Sequence, residues 1–175
     1  MTQQSPTAQV LPMPGRGTGV TEDARSIEWP DVVRRLRSGG FRWFTSLRPD
    51  GHPHTRPVFA VWSESVLFTA SKGTARKSRN LDVDGRCSIA TEVDGAHVVV
   101  EGVASRVVDE ETLRQASAAF QDVYGWPTRV AGDELDADYG APTSGGPPYR
   151  IYQITPTTAY AFPANGDFFP TRWTF

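Results

Sequence analysis

The sequence predicts a mainly β domain with α additions, a mostly antiparallel barrel of about six strands, and three observations carry that reading. Short apolar-rich runs follow one another with turn chemistry between them, above all Arg48-Pro49-Asp50-Gly51 and Asp94-Gly95. Helical spacing is confined to two stretches, one before the β runs and one among them. The length, 175 residues, suits one domain able to bury a core without disulfides.

Residues 1–25 are rich in Gln, Ser, Thr, Pro and Gly and read as a mobile tail ahead of the domain at 26–175. A first helix is expected over 27–38, with Val32, Val33 and Leu36 on one face and Gly39-Gly40 as its stop. Strands are expected at 41–47, 54–62 and 66–70, then at 87–93 and 96–108 around the Asp94-Gly95 hairpin turn. Asp109 reads as the N-cap of a second helix, with Glu110 and Glu111 in its first turn and Gly125 and Pro127 at its end. A last strand over 149–162 precedes the ending Arg172-Trp173-Thr174-Phe175. Residues 126–148 hold Asp133, Glu134, Asp136 and Asp138 and read as a long loop, either a lid or a plain insertion.

Eighteen basic against 20 acidic side chains leave a charge of −2, which argues against a surface built for nucleic acid or membranes. No apolar run is long enough to span a bilayer and no signal-peptide core is present, so a cytoplasmic protein is expected. Cys87, the single cysteine, reads as a buried thiol. Gly15-Arg16-Gly17-Thr18-Gly19 lacks the strand before and helix after it that a dinucleotide fingerprint needs. His52 and His54 share a strand face but lack the further ligands of a metal site.

The informative stretch runs from Phe68-Thr69 to Asn80-Leu81. Lys72, Arg76, Lys77 and Arg79 bring four positive charges with no acid among them, and Thr74 sits where it would cap a short helix. Such a turn either cradles a phosphate, with hydroxyls from Ser71 and Thr74, or is a solvated basic turn. Pro57, inside an otherwise good strand, calls for an edge position, a bulge or a place where a ligand replaces the neighbouring strand.

Asp50-Gly51-His52-Pro53-His54, Arg56-Pro57-Val58, Phe68-Thr69, Thr74-Ala75-Arg76-Lys77 with Asn80-Leu81, and His97-Val98-Val99-Val100-Glu101-Gly102 resemble, in this order, the pyridoxamine-phosphate-oxidase-like superfamily. The resemblance implies a six-stranded antiparallel split β-barrel, the FMN-binding kind, that works as a homodimer with its cofactor across the interface. It implies that Arg56, Pro57 and Val58 run along the ring system and that Arg76 and Lys77 hold the phosphate, supported by Thr69, Ser71 and Thr74. His97 matches the position of a polar contact, without its chemistry.

The ending Thr171-Arg172-Trp173-Thr174-Phe175 resembles the deazaflavin branch of that superfamily and places Trp173 against the cofactor. The oxidase's own C-terminal Arg-x-His arrangement is absent, which argues against pyridoxamine phosphate as substrate. The resemblance thus implies an oxidoreductase using coenzyme F-420, with FMN as the alternative, that passes hydride to an activated double bond of a small molecule. A non-catalytic carrier or sensor is the competing class. No side chain is singled out as catalytic, because such chemistry resides in the cofactor.

Overall fold

The computed structural model describes residues 5–12, 25–141 and 145–175. It is mainly β, and every ladder between its strands is antiparallel. The glycine-rich stretch at 15–19 lies outside the described residues.

α1 (Trp29–Leu36) buries Val32 and Leu36, one turn apart, against the barrel. Its end is held by Arg42, a fully buried side chain that donates to the carbonyls of Leu36 and Ser38 at 3.1 and 2.6 Å. The same guanidinium reaches the Thr91 hydroxyl at 2.5 Å. Orphan helix carbonyls and a buried cation thus satisfy each other.

β2 (Arg42–Leu47) alternates buried and half-exposed positions, as a strand with one core face must. It pairs with β3 (Pro53–Val58) across a turn in which Gly51 adopts φ 82°. The single strand expected over 54–62 is in fact two. Phe59 breaks the run, after which β4 (Ala60–Ser63) leaves β2 and pairs with β5 (Val66–Ser71). The Thr69 hydroxyl fixes this break by donating to the Phe59 carbonyl at 2.9 Å.

α2 (Arg76–Leu81) follows β5 and starts at Ala75, which gives it no side-chain cap. The expected capping role of Thr74 is therefore not realised. β6 (Arg86–Val93) and β7 (Ala96–Val107) form the expected hairpin, with Asp94 at φ 46° and Gly95 at 74°. α3 (Glu110–Tyr124) is capped by Asp109, whose carboxylate accepts from the Thr112 N–H at 2.9 Å, and ends at left-handed Gly125.

β10 (Arg150–Pro163) organises the whole. One edge pairs with β7 from Ile151 to Pro163, while the other pairs first with β5 and then with β11 (Thr171–Thr174). From β10 the ladder runs through β7, β6 and β2 to β3, and the chain then returns through β4, which pairs with β5, itself paired with β10. Gly102 permits the tight crossing, since a Cβ there would lie 2.3 Å from the Thr155 carbonyl oxygen. One core fills the barrel around Phe44, Leu67, Ile89 and Trp173, and a second lies between α3 and the sheet around Phe120, Trp126 and Tyr149.

Three expectations need correction. Among the described residues the sheet has nine strands rather than six, because the divided strand and two terminal strands add to the count. The residues expected to form only a mobile tail include β1 (Thr7–Val10), which pairs with β11 over its whole length. The stretch expected as a loop contains a hairpin, β8 (Thr128–Ala131) and β9 (Glu134–Ala137), turning at Gly132 with φ 66°. Leu135 and Ala137 of β9 are buried. Arg129 is paired with Asp136 and Asp138, and Arg106 with Asp133, so the acidic residues are spent on neighbouring arginines.

Candidate cofactor site

Alternation along β3 sets His54, Arg56 and Val58 on the face shared with Ser46, Phe44 and Arg42 of β2. Against the His54 end of that face lies α2, pinned by short polar contacts. The Ser78 hydroxyl is 2.7 Å from both the Ser71 hydroxyl and the Lys72 carbonyl, and the Asn80 amide donates to the Ser46 hydroxyl at 3.0 Å. Leu81 completes the attachment by entering the barrel core.

This docking buries Lys77, which is only 6 % exposed. Burial, and secondarily the Arg56 charge, lowers the pKa of its ammonium below the usual lysine value. Among the described residues, Arg56, Lys72, Arg76, Lys77 and Arg79 make no ion pair, whereas Arg34, Arg86, Arg106, Arg114, Arg129 and Arg150 each do. His54 is also shielded, and its Nδ1 is buried without a hydrogen-bond acceptor or donor facing it. Desolvation first, then the charges of Arg56, Arg48, Lys77 and Arg76, lowers its pKa. A cluster of cations on adjoining elements, one of them on a buried side chain and none in an ion pair, is chemically suited to a phosphate. At six residues α2 is too short to add much through its backbone, so the side chains carry the site.

The expected residues divide into two groups. Arg56, Arg76 and Lys77 come together, with exposed Thr74 at the start of the same turn. Pro57 stands opposite Trp43 on the outer face, on the end strand of the sheet path, where a missing N–H costs no ladder bond. Val58 is a buried core residue. Thr69 and Ser71 are each 1 % exposed, and in this chain their hydroxyls meet the Phe59 carbonyl and the Ser78 hydroxyl.

His97 is exposed beside Glu92 at 3.8 Å. Glu92 is five residues along β6 from Cys87, the partner of Ser46, which puts His97 roughly 16 Å from the cluster. Trp173 is 1 % exposed and packs on Trp29 with ring centroids 5.5 Å apart. The indole is thus part of the barrel core in this chain.

Sequence reasoning missed His54, Ser46 and Asn80. The period-two alternation that put His54 on one face with Arg56 was readable; the docking of Asn80 against Ser46 was not, because it joins residues 34 apart.

An open groove of about 430 Å³ lies on the sheet, lined among others by Thr45, Leu47, Cys87, Ser88, Glu101 and Val103. Its size is within the range of small-molecule sites. Burial pushes the pKa of the Cys87 thiol up to about 12, and the thiol faces the Gly102 carbonyl at 3.6 Å. Labelling by iodoacetamide at a mildly alkaline pH is therefore expected to be slow in the folded protein and complete in denaturant. Rapid labelling of the folded form would show that this thiol is ionised.

The pyridoxamine 5'-phosphate oxidase pattern matches residues 30–162. No curated protein sequence matches the chain. A conserved hypothetical protein from Mycobacterium tuberculosis is similar in structure, with a TM-score of 0.63 at 17% identity over 85% of this chain and 92% of that one. A NimC/NimA family protein from Clostridium acetobutylicum gives 0.59 at 12% identity, covering 83% and 92%. An F420 reductase gives 0.50 at 19% identity, covering 72% and 93%. At these identities the likeness is one of fold. With the sequence match running from α1 almost to the end of β10, across every strand that lines the cation cluster, the chain belongs to the pyridoxamine 5'-phosphate oxidase family.

Proposed function

We propose that this chain is an oxidoreductase that binds coenzyme F-420 and reduces an activated double bond, such as an enone or quinone-like ring, in a small organic substrate. The observation that carries the reading is the buried, unpaired Lys77 beside Arg56 and Arg76, a site whose charge calls for a phosphate. A solved F420 reductase with the same fold, together with the chain ending Arg172-Trp173-Thr174-Phe175, supports the deazaflavin over FMN. FMN presents a phosphate too and is the competing cofactor.

When bound, reduced F-420 supplies the hydride. Lys77, Arg56 and Arg76 neutralise the phosphate, and the Arg56-Pro57-Val58 backbone offers an extended rail for the remainder. No side chain is required to break or form a bond, and solvent can deliver the proton. The reading includes a second copy of the chain, because Trp43, Val103 and Phe162 expose apolar surface on the outer face of the sheet.

The test follows oxidation of reduced F-420 by absorbance in the presence of an enone and quinone panel, alongside sedimentation of the protein. Cofactor-dependent turnover by a dimer is expected. Tight cofactor binding without turnover of any substrate would make the protein a carrier or sensor, and turnover with FMN alone would transfer the reading to the flavin.

A further inference from the structure

His54 is the one buried ring in the cation cluster, and its surroundings are unusual for a core histidine. Such residues are normally satisfied by hydrogen bonds on both nitrogens. Here Nδ1 is buried and unpartnered, and the Asn80 Oδ1 is another buried, unpartnered atom. Ser46 connects the two, since it stands opposite His54 in the β2–β3 register and receives the Asn80 amide. The charged groups facing the ring are all cations: Arg48 and Arg56 from the strand side, Arg76 and Lys77 from α2. Asp50 in the preceding turn is engaged by His52 at 3.3 Å.

From this geometry we propose that His54 is the proton-accepting member of the anion site, so that binding of a phosphate is coupled to protonation of its imidazole. Without an anion the ring stays neutral, because four cations and poor solvation oppose a fifth charge. A phosphate bound at Lys77 and Arg56 reverses the sign of the local field. The ring then takes a proton from solvent. By linkage, protonation must tighten the anion as much as the anion favours protonation. Affinity therefore rises as pH falls through the histidine range. This inference rests on the phosphate site proposed above, though not on which cofactor carries the phosphate.

The probe is inorganic sulfate, a tetrahedral dianion whose own charge is constant over the range in which histidine titrates. Sulfate affinity is measured against pH for the wild type and for His54→Gln, and the ring resonances of the three histidines are followed by NMR with and without sulfate. The expected result is that wild-type affinity tightens by up to about tenfold per pH unit on acidification, that His54→Gln lacks this component, and that the titration of His54 alone moves upward with sulfate. Equal pH dependence in both proteins, an unmoved His54 resonance, or no sulfate binding at any pH would overturn the proposal. Sulfate binding with the expected pH dependence, together with failure of both F-420 and FMN to bind, would instead leave His54 as assigned and remove the proposed cofactor.

Discussion

Replacing Lys77 with methionine is expected to raise the thermal stability of the cofactor-free protein while weakening its hold on a phosphate-bearing cofactor. The loss of affinity should be about 1.5–3 kcal/mol, the worth of hydrogen bonds to a charged group. The gain in stability should be about 1 kcal/mol, because methionine fills a similar volume and removes a partly desolvated ammonium next to Arg56. The pH dependence has a definite sign. The folded-state pKa of Lys77 is lowered, so the unfolded chain holds the proton more tightly in the alkaline window between the two values. Wild-type stability should therefore gain from this group as pH rises through that window, and the variant should lack the gain. Thermal melts across alkaline pH, paired with cofactor titrations, measure both effects. A variant that melts earlier than the wild type would show that Lys77 has a stabilising counter-charge.

Replacing Trp173 with alanine is expected to cost about 3–5 kcal/mol of stability, in line with large-to-small changes in other cores. The indole is buried against Trp29 in the barrel core, and its strand β11 is flanked by β1 and β10. Protein that remains folded should bind cofactor with near wild-type affinity. A Trp173→Ala protein with unchanged melting but lost cofactor affinity would restore the ring to the cofactor site.

How far the sequence could be read differs from element to element, and the differences have physical causes. The β6–β7 hairpin and α3 were legible because their signals are local: Asp94-Gly95 takes the left-handed turn, and Asp109 caps the residues beside it. β1 was not, since Thr7–Val10 is exposed throughout and is a strand only because β11 lies next to it. The β8–β9 hairpin did carry a signal, Gly132-Asp133 between two short alternating runs, but its acidic residues suggested a solvated loop. At the site, charge was visible and burial was not. Arg76 and Lys77 look equivalent in sequence, yet α2 turns Lys77 inward and leaves Arg76 exposed. Thr69 and Ser71 show their hydroxyls in the sequence but not their partners, Phe59 and Ser78. His54 needed both strand pairing and helix docking to become a member of the cluster.

The central claim is that the unpaired cations around α2 hold the phosphate of a flavin-type cofactor, and equilibrium titration of the purified protein with F-420 and with FMN tests it most directly. The titrations are run for the wild type, Lys77→Met and Arg56→Gln. The account predicts that the wild type binds F-420 more tightly than FMN and that each substitution weakens binding at least about tenfold with the fold intact. Cofactor affinity left unchanged by both substitutions, or a wild type that binds neither cofactor, would contradict it.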